Sequence, residues 1–399
     1  MSDIQTPSKF HNFLNIAKAN MRNFSMFLIL GLIMIGFAIL TDGVNFHPRN
    51  FTYIFIQNSY ILILAIGMVL VIIVGDIDLS VGSLVAFLGA ISVIIYNQLG
   101  LGFFETLIVT ILIGLAIGAF MGYWIAYVQI PAFIVTLAGM FLFRGLTYII
   151  TNVTPVALID DGFKQIASGS LEIKGFRIAG LDGLSLLVMI LAILLLSFMT
   201  FRQRNRKIRN GFSVLPFRYS VYKIVSLSAL IIFVFSRFAA YRGIPTVSLV
   251  LFVVTVLFVF ITNNTVIGRY IYAVGGNMKS AKLSGINAEK VMFITHVIMG
   301  VLCGLSGVVF TAYMNSALPQ AGDKFELDAI ASCYIGGAAA SGGIGTIIGA
   351  ITGGLVMGVI NNGMSLMNIG ADWQYVVKAA ILLFAVFYDI WSRKKSGLG

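Results

Sequence analysis

Few side chains in this sequence can do chemistry, and they are grouped. The run Gly75-Asp76-Ile77-Asp78-Leu79-Ser80-Val81-Gly82-Ser83 sets two carboxylates between the apolar stretches 51–74 and 82–97. A charge at membrane depth costs at least ~2.5–3.5 kcal/mol at a helix centre. Gly75 suits the end of one helix. Asp78 or Ser80 can cap the next by accepting from its free N–H groups. A broken helix is tolerated in a bilayer only against protein or a water-filled cavity. Two readings follow: a break that lines a pathway, or a capped turn at the membrane surface. Under both, the carboxylates are caps rather than proton carriers.

Arg144 lies deep in the apolar stretch 132–151. A buried guanidinium needs a carboxylate or carbonyl partner, and the simpler reading is a structural pair with an acid. Lys378 can snorkel or pair. His296 and Cys303 share one apolar stretch, seven residues apart with no acidic neighbour in sequence. Core packing explains them better than catalysis, which needs convergent groups. His11, His47 and His296 form no ligand spacing, and two cysteines, Cys303 and Cys333, exclude a disulfide framework.

Between two apolar stretches runs a polar segment, residues 263–290. Asn277 can cap a short helix there, and Gly285 can take the left-handed position after its end. Lys279 and Lys282 put positive charge on that helix. A short capped helix projecting from a membrane can push on a soluble partner; otherwise it is a solvated connector. Glycines recur every fourth residue at Gly114, Gly118 and Gly122, and at Gly345, Gly349 and Gly353. Shorter sets are Gly354 with Gly358 and Gly300 with Gly304. Such spacing lets helix backbones approach. Tight packing is the ordinary reading; a dimer interface or gate is the sharper one.

The elements that must hold these groups are set by composition. Of 399 residues, 59% are hydrophobic and 10% charged, against about 25% charged in soluble domains. The chain is therefore an all-α polytopic membrane protein with 10–12 transmembrane helices, some broken or re-entrant. Expected spans are 24–41, 51–74, 82–97, 105–127, 132–151, 184–201, 224–240, 246–262, 291–312, 329–342, 344–365 and 373–391. The weakest are 82–97 and 329–342, each short enough to be a half-helix. The net charge of +11 would suggest nucleic acid in a soluble protein. In a membrane protein it marks orientation. Seventeen basic residues fall in one set of loops and six in the other, which places the first set, with both termini, in the cytoplasm. Residues 1–23 and 392–399 are then cytoplasmic ends of a single transmembrane domain, 24–391. Residues 152–183 form a polar extracytoplasmic loop, long enough for a small lid or docking surface. No GxxxxGK[ST] loop occurs, so the chain cannot hydrolyse ATP alone.

At this point several blocks resemble a known family. They are Asp76-Ile77-Asp78-Leu79-Ser80-Val81-Gly82-Ser83, Pro131 to Met140 with Arg144-Gly145, and Leu283-Ser284-Gly285-Ile286. Glu326-Leu327-Asp328-Ala329-Ile330-Ala331 with Gly336-Gly337, and Asn362-Gly363-Met364, complete the set. The chain resembles permease subunits of bacterial monosaccharide ABC importers of the ribose/xylose/galactose group. The xylose and multiple-monosaccharide branch is the nearest. Residues 184–240 then read as an added helix pair that ribose-type permeases lack. The resemblance implies a homodimer of two permease copies in the bacterial inner membrane. It implies a tandem-cassette ATPase below, which holds the ATP and Mg, and an extracytoplasmic sugar-binding protein. No cofactor is implied on this chain. Residues 277–285, with Asn277, Lys279, Ala281, Lys282, Leu283, Ser284 and Gly285, take the place of the coupling helix. Lys279-Ser280-Ala281 replaces the family's Glu-Ala-Ala start. Asp76, Asp78, Ser80, Arg144, Glu326 and Asp328 become candidates for the pathway or its helix breaks. The stretch 325–332 echoes 76–83, as expected of a duplicated transporter architecture. The competing reading is an ion-coupled secondary sugar transporter, for which Asp76 and Asp78 would be the only path carboxylates.

Overall fold

The computed structural model describes residues 26–395, except 160, 174, 213 and 215, with backbone only at 385, 388–390 and 392–395. The expected N-terminal segment 1–23 and the end of the 392–399 tail lie outside the described residues. Helix α1 is Met26–Leu40. The remaining helices are α2 Pro48–Val74, α3 Val81–Leu99, α4 Phe103–Ala126, α5 Ala132–Thr151, α6 Asp161–Ser168, α7 Gly183–Arg209, α8 Phe217–Ala239, α9 Thr246–Asn264, α10 Val266–Gly276, α11 Met278–Leu283, α12 Ala288–Met314, α13 Phe325–Ile335, α14 Ile347–Leu366 and α15 Ala371–Lys395. Among the described residues, nine of them are long and apolar enough to cross a membrane. Beyond these nine, α1 is a shorter apolar helix over its described residues, α15 follows at the C-terminal end, and α13 is only half-length.

The layout follows from which helices are apolar all round. From Ile61 to Val74, every residue of α2 is buried, as befits a helix enclosed by others. Packed around it are α12, α13, α14, α9, α10 and the outer end of α8. The remaining helices pack on this centre: α3 and α4 against α12, and α5 against α3. Glycine spacing does the close work. Gly114 and Gly118 of α4 meet Gly300 of α12 backbone to backbone, and Gly304 meets Thr110. On α14, Gly349 and Gly353 face Gly336 and Ser332 of α13, while Gly354 and Gly358 face Leu62 and Asn58 of α2. These sets are thus packed inside the chain, which supports the ordinary reading of them over a dimer interface.

Two rims result. One carries the 152–182 loop. Its helix α6 buries Phe163, Ile166 and Ala167 against α12 and α9. Two-residue strands stitch the loop down, Val156–Ala157 to Ser316–Ala317 and Ser170–Leu171 to Ile244–Pro245. Near this rim Asn50 and Asn362 exchange amide hydrogen bonds of 2.8 and 3.0 Å between α2 and α14. The opposite rim carries α10 and α11.

The two weak spans resolve differently. Residues 82–97 belong to a full 19-residue helix, α3. Residues 329–342 do not form a span: α13 stops at Ile335, and 336–346 is irregular and Gly-rich. Gly337, Gly342 and Gly343 have φ near +73 to +80° there, a backbone that ends a helix readily with glycine and poorly with other residues.

Candidate functional site

The break after α2 starts at an exposed Gly75 and runs inward, so that Asp78 and Ser80 are buried. Gly75 closes α2 with φ 105°, its N–H bonded to the Ile72 and Val71 carbonyl oxygens. Asp78 is buried and accepts from the Ser80 N–H at 2.9 Å and the Ser80 hydroxyl at 2.6 Å. The carboxylate thus fixes the turn that enters α3, but it bonds Ser80, which precedes the helix, and not the free N–H groups of α3 itself. Ser80 makes no side-chain cap of its own. Cys303, in the middle of α12, places its Sγ 4.0 Å from the Val81 carbonyl oxygen. Helix α3 therefore starts about halfway along its neighbour rather than at a rim. Residues 75–80 climb that distance as non-helical chain, flanked by Thr136 and Gly139 of α5.

A second break mirrors it. After α12 the chain turns at Gly322 and Lys324, both with positive φ, and α13 begins at Phe325. Phe325 stacks on Tyr60 and Phe310, with centroids 4.7 and 5.1 Å away. Tyr60 is the thirteenth residue of α2, so α13 also begins at mid-depth. The two breaks touch: a Cβ on Gly82 would overlap the Gly322 carbonyl, and one on Gly322 would overlap the Gly82 carbonyl. The sequence echo between 76–83 and 325–332 thus corresponds to two half-depth helix starts packed against each other.

The remaining candidates divide. Arg144 donates to the carbonyl oxygens of Pro319 and Ala321. The guanidinium holds the chain entering α13, and its partners are carbonyls rather than the acid expected. Glu326 lies against Gly82, at the junction. Asp328 pairs with Lys378 at 2.9 Å, joining α13 to α15. Asp76, Asp78, Ser80, Arg144 and Glu326 are therefore gathered around the two breaks, and Asp328 is turned away to α15.

At the other rim the capped helix forms as its sequence predicts. Asn277 accepts from the Ser280 N–H at 2.9 Å, Ser284 ends the helix, and Gly285 follows with φ 82°. Ala281 is buried, while Lys279, Lys282 and Leu283 are exposed, Leu283 at 90%. Lys282 is paired with Glu289 at the start of α12. The mount is rigid. The Tyr272 hydroxyl donates to the Gly345 carbonyl at 2.8 Å, and the Gly343 N–H donates to the Ile73 carbonyl at 2.8 Å. Gly275 lies so close to Ile73 and Gly343 that a side chain has no room. Helix α10, which leads into α11, is thereby joined to the last turn of α2 and to the α13–α14 connection, next to the first break.

Comparison with known proteins supplies the family. Residues 50–202 and 183–386 match the pattern described as branched-chain amino acid transport system / permease component. The chain is 38% identical to the xylose transport system permease protein XylH of Haemophilus influenzae over 385 residues, 95% of this chain and 99% of that protein. It is 38% identical to XylH of Escherichia coli over 387 residues, 96% and 95% of the two chains. Against the ribose import permease protein RbsC of Escherichia coli it is 31% identical over 364 residues, 91% and 92%. The chain belongs to this permease family. No solved structure matches it. As a permease the chain is a transport subunit and not an enzyme, and it is a multi-pass membrane protein.

Within this permease, two features escaped the sequence. His296 has an acidic neighbour after all: its Nε2 lies 3.9 Å from Asp76 Oδ2, and neither atom has a hydrogen-bond partner. The contact joins residues 220 apart, so spacing carries no sign of it. The Gly82–Gly322 contact is the second. Its only trace in sequence is that both blocks pair a small residue with nearby carboxylates.

Proposed function

We propose that this chain is the membrane-spanning subunit of an ATP-binding cassette importer for a monosaccharide, xylose or a related pentose or hexose such as galactose or glucose. The observation that carries it is similarity along almost the whole length to two xylose transport permeases. The geometry agrees with the reading. Two half-depth helix starts packed together are the kind of break that transporters place at a substrate path. An exposed capped helix, braced on both breaks' supporting helices, suits a partner that pushes from below.

On this reading α11, with its cap Asn277 and the turn through Gly285, is the coupling helix. Its exposed Leu283 and Lys279 meet a tandem-cassette ATPase that holds ATP and Mg. Two copies of the permease enclose the path, and a sugar-binding protein delivers substrate to the α6 rim. The bias of basic residues puts the α11 rim and both termini in the cytoplasm of a bacterium. The family pattern is met in two stretches that overlap on α7, in keeping with α7 and α8 being an added pair.

One observation favours an ion-coupled alternative: the buried imidazole of His296 and the half-buried carboxylate of Asp76 are adjacent beside the first break. Uptake of labelled xylose into proteoliposomes separates the two. The expected result is accumulation that requires ATP, the ATPase and the binding protein. Accumulation driven by an imposed proton or sodium gradient, with the permease alone, overturns the proposal.

A further inference from the structure

The helix hairpin α7–α8 has an end that nothing in the permease mechanism uses. From 183 to 240 the sequence holds no Asp or Glu. Five basic residues cluster at the end of α7 (Arg202, Arg204, Arg206, Lys207 and Arg209), and Arg218 and Lys223 follow at the start of α8. All but Arg204 are exposed, and those six make no ion pair among the described residues. Arg204 lies over the Phe217 ring, which stacks on Phe201 at 5.8 Å. The charges thus stand on a fixed aromatic base at the end of two long apolar helices.

The hairpin's placement decides what such a cluster can meet. Among its described residues, the buried ones are Gly183 and Ser185 on α7 and Phe238 and Ala239 on α8, all at the α6 rim. There Phe238 and Phe233 pack on Phe51, and Phe238 on Phe55. Helix α7 packs chiefly on α8, and α8 in turn on α2; among the described residues neither packs extensively on α10 or α11. The basic end therefore lies at the end of the hairpin opposite the α6 rim, the membrane face that the bias of basic loops assigns to the cytoplasm. Its flanking aromatics Phe212, Phe217 and Tyr222 are exposed at the same level, as residues at a bilayer interface are.

We propose that the basic end of the α7–α8 hairpin is a binding site for anionic phospholipid headgroups. Clusters of four to eight Lys/Arg next to a membrane helix attract such headgroups, about fivefold in affinity for each charge near the surface. Here the phosphates lie in the same plane as the guanidinium groups, which bind phosphate with paired N–H donors. The apolar flanks of both helices are open to receive the acyl chains.

The test uses the full chain, purified in micelles with equal phosphatidylglycerol and phosphatidylcholine, with retained lipid read by native mass spectrometry. The unaltered chain is expected to retain phosphatidylglycerol preferentially, and to lose that preference as salt is raised. The quintuple variant R202Q/R204Q/R206Q/K207Q/R209Q should lose the preference by about tenfold or more. A control with Arg→Lys at the four arginines should keep most of it. Equal retention by the Gln variant and the unaltered chain overturns the proposal, as does the absence of any preference in the unaltered chain. So does a Gln variant that keeps its lipid and instead loses a purified ATPase partner, which would make the cluster a protein dock. If the Gln variant fails to fold, the salt titration of the unaltered chain decides alone.

Discussion

At the scale of single residues, the molecule depends on positions where no larger group fits or where one polar group has no substitute. Gly82 is the clearest. A side chain there meets backbone, which cannot swing aside, so Gly82→Val should destabilise the protein by more than the ~1–3 kcal/mol of ordinary overpacking. Loss of folded yield and a lower unfolding temperature in detergent would show it. Gly285 is different, because its surroundings are open and only its φ of 82° is demanding. A β-branched residue there is strained by about 1–2 kcal/mol and twists the end of α11. Gly285→Val should therefore cut sugar uptake several-fold while ATP hydrolysis by the complex continues. Normal coupled uptake would remove α11 from its proposed role. Arg144→Ala leaves two carbonyls at the second break without their charged donor. At ~1.5–3 kcal/mol for a hydrogen bond to a charged group, folded yield should fall more than affinity for delivered sugar. A well-folded variant with altered sugar preference would make Arg144 a path residue instead. The Asn277 cap and the Gly285 turn were legible in sequence because capping is local. The Asp76–His296 approach was not, because it is made by tertiary packing between residues 220 apart.

At the scale of elements, the informative joints are those between a half-helix and a whole one. Helix α13 is too short to cross the bilayer and is held by α2, α14 and α15. One of its ties is the ion pair Asp328–Lys378. Removing either partner strands a charge in a poorly hydrated place, which typically costs 3–5 kcal/mol, whereas removing both is often neutral. Asp328→Asn and Lys378→Met should each lower stability, and the double variant should recover most of it. Thermal unfolding of all four proteins makes the cycle; additive losses would show that the pair does not join the helices. Element boundaries were read best where apolar runs end in glycine or a cap, as at Gly75. They were read worst at 329–342, where apolar small residues look like a span. Hydropathy counts such residues as buried without knowing that Gly336 and Gly337 let the chain leave the helix.

At the scale of the whole molecule, polarity separates the two rims. The expected orientation rests on the bias of basic loops, which is a sum over many residues and survives errors at any one. It is also testable without transport. Cys303 and Cys333 are fully buried, so a membrane-impermeant thiol reagent should ignore the unaltered chain. A single cysteine at Lys207 should react in inverted vesicles and not in intact cells. One at Asp161 should do the reverse. Labelling of the Lys207 position from outside would invert the assigned orientation.

The enclosure of α2 bears on how the chain is made. It emerges early from the ribosome, yet almost every residue beyond Ile61 ends up covered by helices synthesised later. In lipid this waiting costs little, because acyl chains solvate Leu and Ile as well as protein does. What the late helices contribute is shape, through glycines that admit the bulk of α2. A chain stopped before α12 would insert its spans and still have no centre. Assembly of this permease is thus a closing of walls around a post already standing.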